Sequence, residues 1–340
     1  MPSPTDIRAA FTLRGVNVAR HSEDVRRRAT GLLESLAARI NRLLLLSDLG
    51  TRPQKERVIR QITKLSVQHY DAIEEVLVAS MVDLARDESS HFRKVFGRGS
   101  GKAMLKREAQ ALISSMLIDG VPLRDWLVGQ SMEIPQRVGR LVRLSGANPD
   151  AKEISEAAFG PTTGGFVMTL SPSGKVVRTP IFQGGEVLRK YRRYLNTVAK
   201  SSIHAASQAA ALESFRRSST VTKLELSVIL DRRTSQICNS RAGSIWMAAS
   251  GAPAPESATN EPFPGPPPYH LSCRSMLVPF SDEVAPEIAF KEWISSLSKA
   301  EQRDILGTVR YNSYKKGTLD LNRVEVGDRP LTIEQLRDSY

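Results

Sequence analysis

SEDVRRRATGLLESLAARINRLLLLSD, residues 22–48, sets Val25, Ala29, Leu32, Leu36, Ile40 and Leu43 at steps of three and four. Apolar side chains with that period line one side of an α-helix and need another element to cover them. Ser22 offers a capping hydroxyl, and Glu23 and Asp24 stand where the positive end of a helix dipole favours carboxylates. The spacing therefore predicts a helix over 22–48. Gly50 marks its stop, and Pro53 suits the first turn of a successor. Val58, Ile62, Leu65, Ile73, Val76, Leu77 and Met81 hold the same phase towards Leu84. The two helices are expected to pack as an antiparallel hairpin.

Further along, helical spacing recurs over Lys106–Leu117, Leu123–Val128, Ile134–Leu144 and Glu186–Arg217. Between the last two, Phe166–Leu170 and Lys175–Arg178 flank SPSG, a turn signal that predicts a hairpin or extended arm. Lys223–Leu230 alternates as a strand does. Ala289–Leu306 and Val309–Lys316 are expected to be helical, and Thr332 with Glu334 gives a helix-start signal in the tail. The expected fold is α+β and mainly helical, an N-terminal helical hairpin or bundle followed by a small α+β domain with a Cys/His loop. Four regions are expected: a helical domain over 1–130, a helical and extended-arm region over 131–220, a Cys/His cassette over 221–285 and a helical tail over 286–340. FGRGSGK, residues 96–102, lacks the phosphate-loop spacing and has Ala103 where a hydroxyl would bind Mg²⁺, so it reads as a basic loop.

The chain has 340 residues and a formal net charge of +12, a balance that favours a polyanionic partner such as nucleic acid. Arg137, Arg140 and Arg143 recur at steps of three, and Arg189, Lys190, Arg192 and Arg193 crowd the start of a long helix. These seven are the candidate DNA contacts, set against the plainer reading of solvated helix faces. No apolar run is long enough to span a bilayer. The N-terminus lacks the apolar core of a secretory signal, and only two cysteines occur, so a reducing compartment is expected.

Both cysteines fall in one stretch, LDRRTSQICNSRAGSIWMAASGAPAPESATNEPFPGPPPYHLSCRSMLVPF, residues 230–280. Cys238 follows a strand and a polar turn; His270 stands three residues before Cys273, behind a run of prolines. Thiolate and imidazole suit tetrahedral Zn²⁺, but three ligands leave the fourth position open. Two other readings stand beside the metal: buried thiols with a backbone-bonded histidine, or a cysteine nucleophile activated by His270.

The order L-D-x-R-T-S-x-x-C, then P-P-x-H-x-x-C-R-S, resembles the phage head-morphogenesis family, the Mu F-like minor head proteins. It falls on Leu230, Asp231, Arg233, Thr234, Cys238, Gly243, Pro267, Pro268, His270, Cys273 and Arg274. Ser235 and Ser275 stand where that family has cysteines. The C-terminal text is similar to a tail of such proteins, on Phe290, Trp293, Gln302, Leu306, Gly307, Arg310, Gly317 and Leu336. The resemblance implies a non-enzymatic minor capsid component with portal and major capsid proteins as partners. It further implies contact with packaged double-stranded DNA and a place in the virion head after assembly in the host cytoplasm. The alternative is a metal-dependent nuclease or toxin-like enzyme built on Cys238, His270 and Cys273.

Overall fold

The computed structural model describes residues 4–96, 102–146, 149–182, 185–228, 235–241, 243–257, 259–280, 295, 298–306 and 308–317. The fold is mainly helical α+β. Helix α1 (Pro4–Leu46) and α2 (Arg52–Phe96) form the antiparallel hairpin. A turn of five residues joins them, tied by Gln54: Thr51 N–H donates to Gln54 Oε1 at 2.8 Å, and Gln54 Nε2 donates to Asp48 Oδ2. Between Val25 and Leu84 the predicted stripe lies in a core with near-zero exposure at Ile40, Ile62, Ile73 and Leu77.

Helix α1 begins at Pro4 rather than Ser22, which corrects the expected start. Ser22 lies inside the helix, and Glu23 and Asp24 bond Arg26 and Arg27 one turn on. In the preceding turns Arg14 is a buried cation, a core position that an apolar pattern does not register. Arg14 Nε lies 2.6 Å from Glu88 Oε2, both side chains almost fully buried, and Arg14 Nη2 donates to Ser207 O and Oγ. A buried charge persists only with such pairing.

The segments predicted at Leu123–Val128 and Ile134–Leu144 are one helix, α4 (Leu123–Leu144), with Pro135 in its interior. Proline cannot donate to the carbonyl four residues back, here Ser131 O. Ser66 of α2, fully buried, donates its hydroxyl to that carbonyl at 2.7 Å. A neighbouring helix thus supplies the bond that the proline omits, and α4 runs through.

Helix α3 (Lys106–Ser114) is shorter than predicted because Leu117–Ile118 (β1) pairs with Val121–Pro122 (β2). Asp119 and Gly120 between them have φ of 54° and 74°, the two positive values that a tight hairpin turn demands. Helix α5 (Ala151–Phe159) is an addition to the predicted elements. Asp150 caps it, accepting from Lys152 N and Glu153 N. The arm is a hairpin of β3 (Thr162–Leu170) and β4 (Val176–Phe182), longer on both sides than expected.

Helix α6 (Glu186–Arg217) runs as predicted, packed along α1 and α2. Arg192 meets Glu34, Asn196 meets Thr30, and Ser207 meets Arg14, so α6 is antiparallel to α1. Residue 130, an expected domain boundary, lies within α4. The core there is shared by α1, α2, α4, α5 and α6.

Strand β5 covers Lys223–Ser227; Ile229, Leu230 and residues 231–234, where a polar turn is expected, lie outside the described residues. β5 is the centre of a three-stranded antiparallel sheet, between β6 (Ile245–Met247) and β7 (Met276–Phe280). Its inward Leu224 and Leu226 join Trp246 and Leu277 in a second core with Phe92 of α2 and Phe215 of α6. A short helix, α7 (Gln236–Ser240), follows β5, and α8 (Lys299–Leu306) and α9 (Thr308–Lys315) form the described C-terminal part. Phe290, Trp293, Gly307 and Leu336, residues 289–294, 296 and 297 of the predicted 289–306 helix, residues 97–101 and the tail from 318 lie outside the described residues.

Candidate metal centre

The chain brings its two cysteines and His270 together from two directions. Cys238 rides on α7, reached from the central strand. His270 and Cys273 sit on a turn that opens into the edge strand β7, closed by Cys273 N–H donating to His270 O at 3.1 Å. Ser272 holds a positive φ of 63° at its crest. The long connection between them is pinned to the sheet: Trp246 Nε1 donates to Glu261 O, Ile245 N–H to Ser257 Oγ, and Phe263 packs edge-on to Trp246.

Cys238 Sγ lies 3.3 Å from His270 Nε2 and 3.7 Å from Cys273 Sγ. All three ligand atoms lie within 4.8 Å of one another, and the group could hold a metal ion. Both sulfurs are buried, with Cys238 2% and Cys273 7% exposed, and neither is in a disulfide. His270 is orientated for ligation. Its Nδ1 lies 2.9 Å from the Leu271 carbonyl, which can only accept, so Nδ1 carries the proton. The Nε2 lone pair is left facing the sulfurs, the arrangement in which a backbone bond fixes a ligand histidine.

Burial alone would raise the Cys238 thiol, but hydrogen bonds with Ser235, Ser275, His270 and Cys273 outweigh it and hold it below its usual range. Burial pushes the Cys273 thiol the other way, upward, only partly offset by backbone bonds. Ser235 and Ser275 are thus part of the cluster: both touch Cys238, and Ser235 Oγ also accepts from Cys238 N–H at 3.2 Å.

Residue spacing in the cassette does not show what braces the turn. One face of α6 carries Ser201, His204 and Gln208, and each bonds the backbone of the cysteine-bearing segment. Ser201 Oγ accepts from Ser272 N–H at 3.0 Å, His204 Nε2 donates to Ser275 O at 2.9 Å, and Gln208 Oε1 accepts from Leu277 N–H at 2.9 Å. Burial pushes His204 down to about 4, so it stays neutral and keeps this proton. The sequence signal for this brace is a polar row at three- and four-residue steps on an otherwise alanine-rich helix.

No family model, curated protein or solved structure matches this chain.

The seven basic candidates divide by partner. Arg137 and Lys190 share Glu133, at 3.0 and 2.6 Å; Arg143 bonds Glu56 and Arg192 bonds Glu34, each at 2.7 Å. Arg140, Arg189 and Arg193 are exposed and have no ion pair among the described residues. Arg189, Lys190, Arg193, Tyr194 and Thr197 line a shallow surface recess on α6. The Lys190–Glu133 bond ties this recess to α4, which bears Arg140.

No helix among the described residues is long and apolar enough to cross a membrane.

Proposed function

We propose that this chain is a phage minor head protein that acts in head assembly near the portal and contacts packaged double-stranded DNA without reading its sequence. The observation that carries the DNA contact is the outward set Arg140, Arg189 and Arg193, whose charges meet no carboxylate among the described residues. Guanidinium groups on helix faces bind phosphate oxygens, release counterions and read no bases. The cassette's resemblance to the Mu F-like pattern supplies the setting, with portal and major capsid proteins as partners. The protein acts in the host cytoplasm during assembly and in the virion afterwards.

In this reading the metal group is a structural Zn²⁺ site that fastens α7 to the turn before β7. Zn–S bonds of about 2.3 Å and Zn–N bonds of about 2.0–2.1 Å at tetrahedral angles put sulfurs about 3.8 Å apart and sulfur about 3.6 Å from nitrogen. The separations of 3.7 and 3.3 Å fit that geometry. Cys238, His270 and Cys273 would be the ligands, with water or a serine oxygen in the fourth position. An open position also suits the nuclease alternative, but no carboxylate joins the group among the described residues to act as a base. Metal-dependent DNA cleavage abolished by His270→Ala would favour the enzyme.

The test is assembly. Co-produced with the portal and major capsid proteins of the same genome, the chain should sediment with procapsids and co-purify with the portal ring. A folded chain that does neither contradicts the proposal.

A further inference from the structure

We propose that Cys238 and Cys273 form a reversible redox pair that closes into one intramolecular disulfide. These are the only two cysteines in 340 residues, and the fold sets their sulfurs 3.7 Å apart in a shared buried pocket. A disulfide needs about 2.05 Å between sulfurs. Side-chain rotation closes that gap if the α7 and β7 segments stay in place. They have holds besides the sulfurs: Arg241, whose N–H donates to Cys238 O, lies over the Tyr269 ring at 4.4 Å, and the Cys273 turn bonds Ser201, His204 and Gln208. Serines at 235 and 275 leave no third thiol to compete, so oxidation has one product.

The oxidant is a peroxide, small enough to reach the pocket past the partly exposed His270 and Leu271. One thiolate attacks a peroxide oxygen; the O–O bond breaks, the peroxide is reduced to hydroxide or alkoxide, and the sulfur becomes a sulfenic acid. The second thiol then attacks that sulfur. The S–S bond forms, the S–O bond breaks, and water leaves with the thiol proton. Two thiols and one hydrogen peroxide thus give one disulfide and two waters, and an alkyl hydroperoxide gives one alcohol and one water instead. Any metal on the site loses both sulfur ligands in the same event and keeps only His270, so metal occupancy and disulfide exclude one another.

The inference stands on the sulfur geometry and not on metal binding, and the two can fail separately. The full-length reduced chain, stripped of metal with a chelator, is treated with hydrogen peroxide and its thiols are titrated in denaturant. Loss of both thiols is expected, with a mass decrease of two hydrogens, a monomer on a non-reducing gel and recovery with dithiothreitol. Cys238→Ser and Cys273→Ser should each abolish the two-hydrogen loss. Prior loading with Zn²⁺ should slow thiol loss by about tenfold or more, because coordinated sulfur is withheld from attack. Disulfide formation without protection by Zn²⁺ supports the pair and counts against the metal. A folded, metal-free chain that keeps both thiols, or oxidises each separately to sulfinic acid, overturns the pair even if Zn²⁺ binds.

Discussion

Replacing Arg140, Arg189 and Arg193 together with glutamine should flatten the salt dependence of DNA binding by a calculable amount. Each phosphate contact contributes about −0.9 to the slope of log K against log salt on duplex DNA, so three contacts contribute about −2.7. Over a fourfold rise in salt, from about 50 to about 200 mM, that difference amounts to roughly 40-fold in affinity. Wild-type binding should therefore fall about 40 times further than that of the triple mutant across this range. The comparison needs a control of like charge. Arg192 is partly buried and bonds Glu34 at 2.7 Å, so Arg192→Gln should leave the slope nearly unchanged. Fluorescence anisotropy on a duplex of arbitrary sequence at four salt concentrations measures both. An unchanged slope in the triple mutant, or an equal loss in Arg192→Gln, would refute the division into committed and uncommitted cations.

Three further outcomes follow from the fold. Ser66→Ala should cost about 1–3 kcal/mol by urea unfolding, because Ser131 O loses the bond that replaces the one Pro135 cannot make. In a Pro135→Ala background that cost should shrink, since the helix then supplies its own donor; equal costs in both backgrounds would contradict the explanation. Gly185→Ala should destabilise strongly, because a Cβ there would lie 2.5 Å from Gly160 N and 2.7 Å from Ala158 O, backbone that cannot swing aside; an unshifted midpoint would disprove the close approach. His69 is fully buried, its Nδ1 donates to Leu65 O, and burial lowers it to about 4 from the usual 6.5. The unfolded chain then binds the extra proton, so this contribution is complete above about pH 6.5 and is lost as pH falls towards 4, by roughly 2–3 kcal/mol. His69→Phe should reduce the loss measured by denaturation between those pH values, and an identical pH profile would exclude His69 as its source.

Residues 22–48 and 58–84 are legible as helices because their buried faces are aliphatic and periodic. The turns before Ser22 are less so: Arg14 is buried there as a cation, and its partners, Glu88 and Ser207, lie far off in sequence. The two segments expected at Leu123–Val128 and Ile134–Leu144 join into α4 for a similar reason: the donor that serves Ser131 O in place of residue 135 belongs to Ser66, on another helix. Two short elements do carry local signals, Asp119–Gly120 for a hairpin and Asp150 with Glu153 for the start of α5. In the cassette, the three candidate ligand residues can be named from spacing and residue type alone. Their convergence depends on sheet pairing and on the α6 row of Ser201, His204 and Gln208, long-range contacts that spacing does not encode. The basic residues are visible as a set, but which of them already answer a carboxylate is decided by the packing of α4 and α6.

The most direct test of the metal centre is a titration of the reduced full-length chain with Zn²⁺ against a chromophoric chelator, repeated with Cys238→Ser, His270→Ala and Cys273→Ser. Circular dichroism would establish that each mutant is folded. One tight equivalent per chain, lost or greatly weakened in all three mutants, is the predicted result. A folded wild-type chain that takes up no more Zn²⁺ than the mutants do would show that Cys238, His270 and Cys273 meet for packing alone.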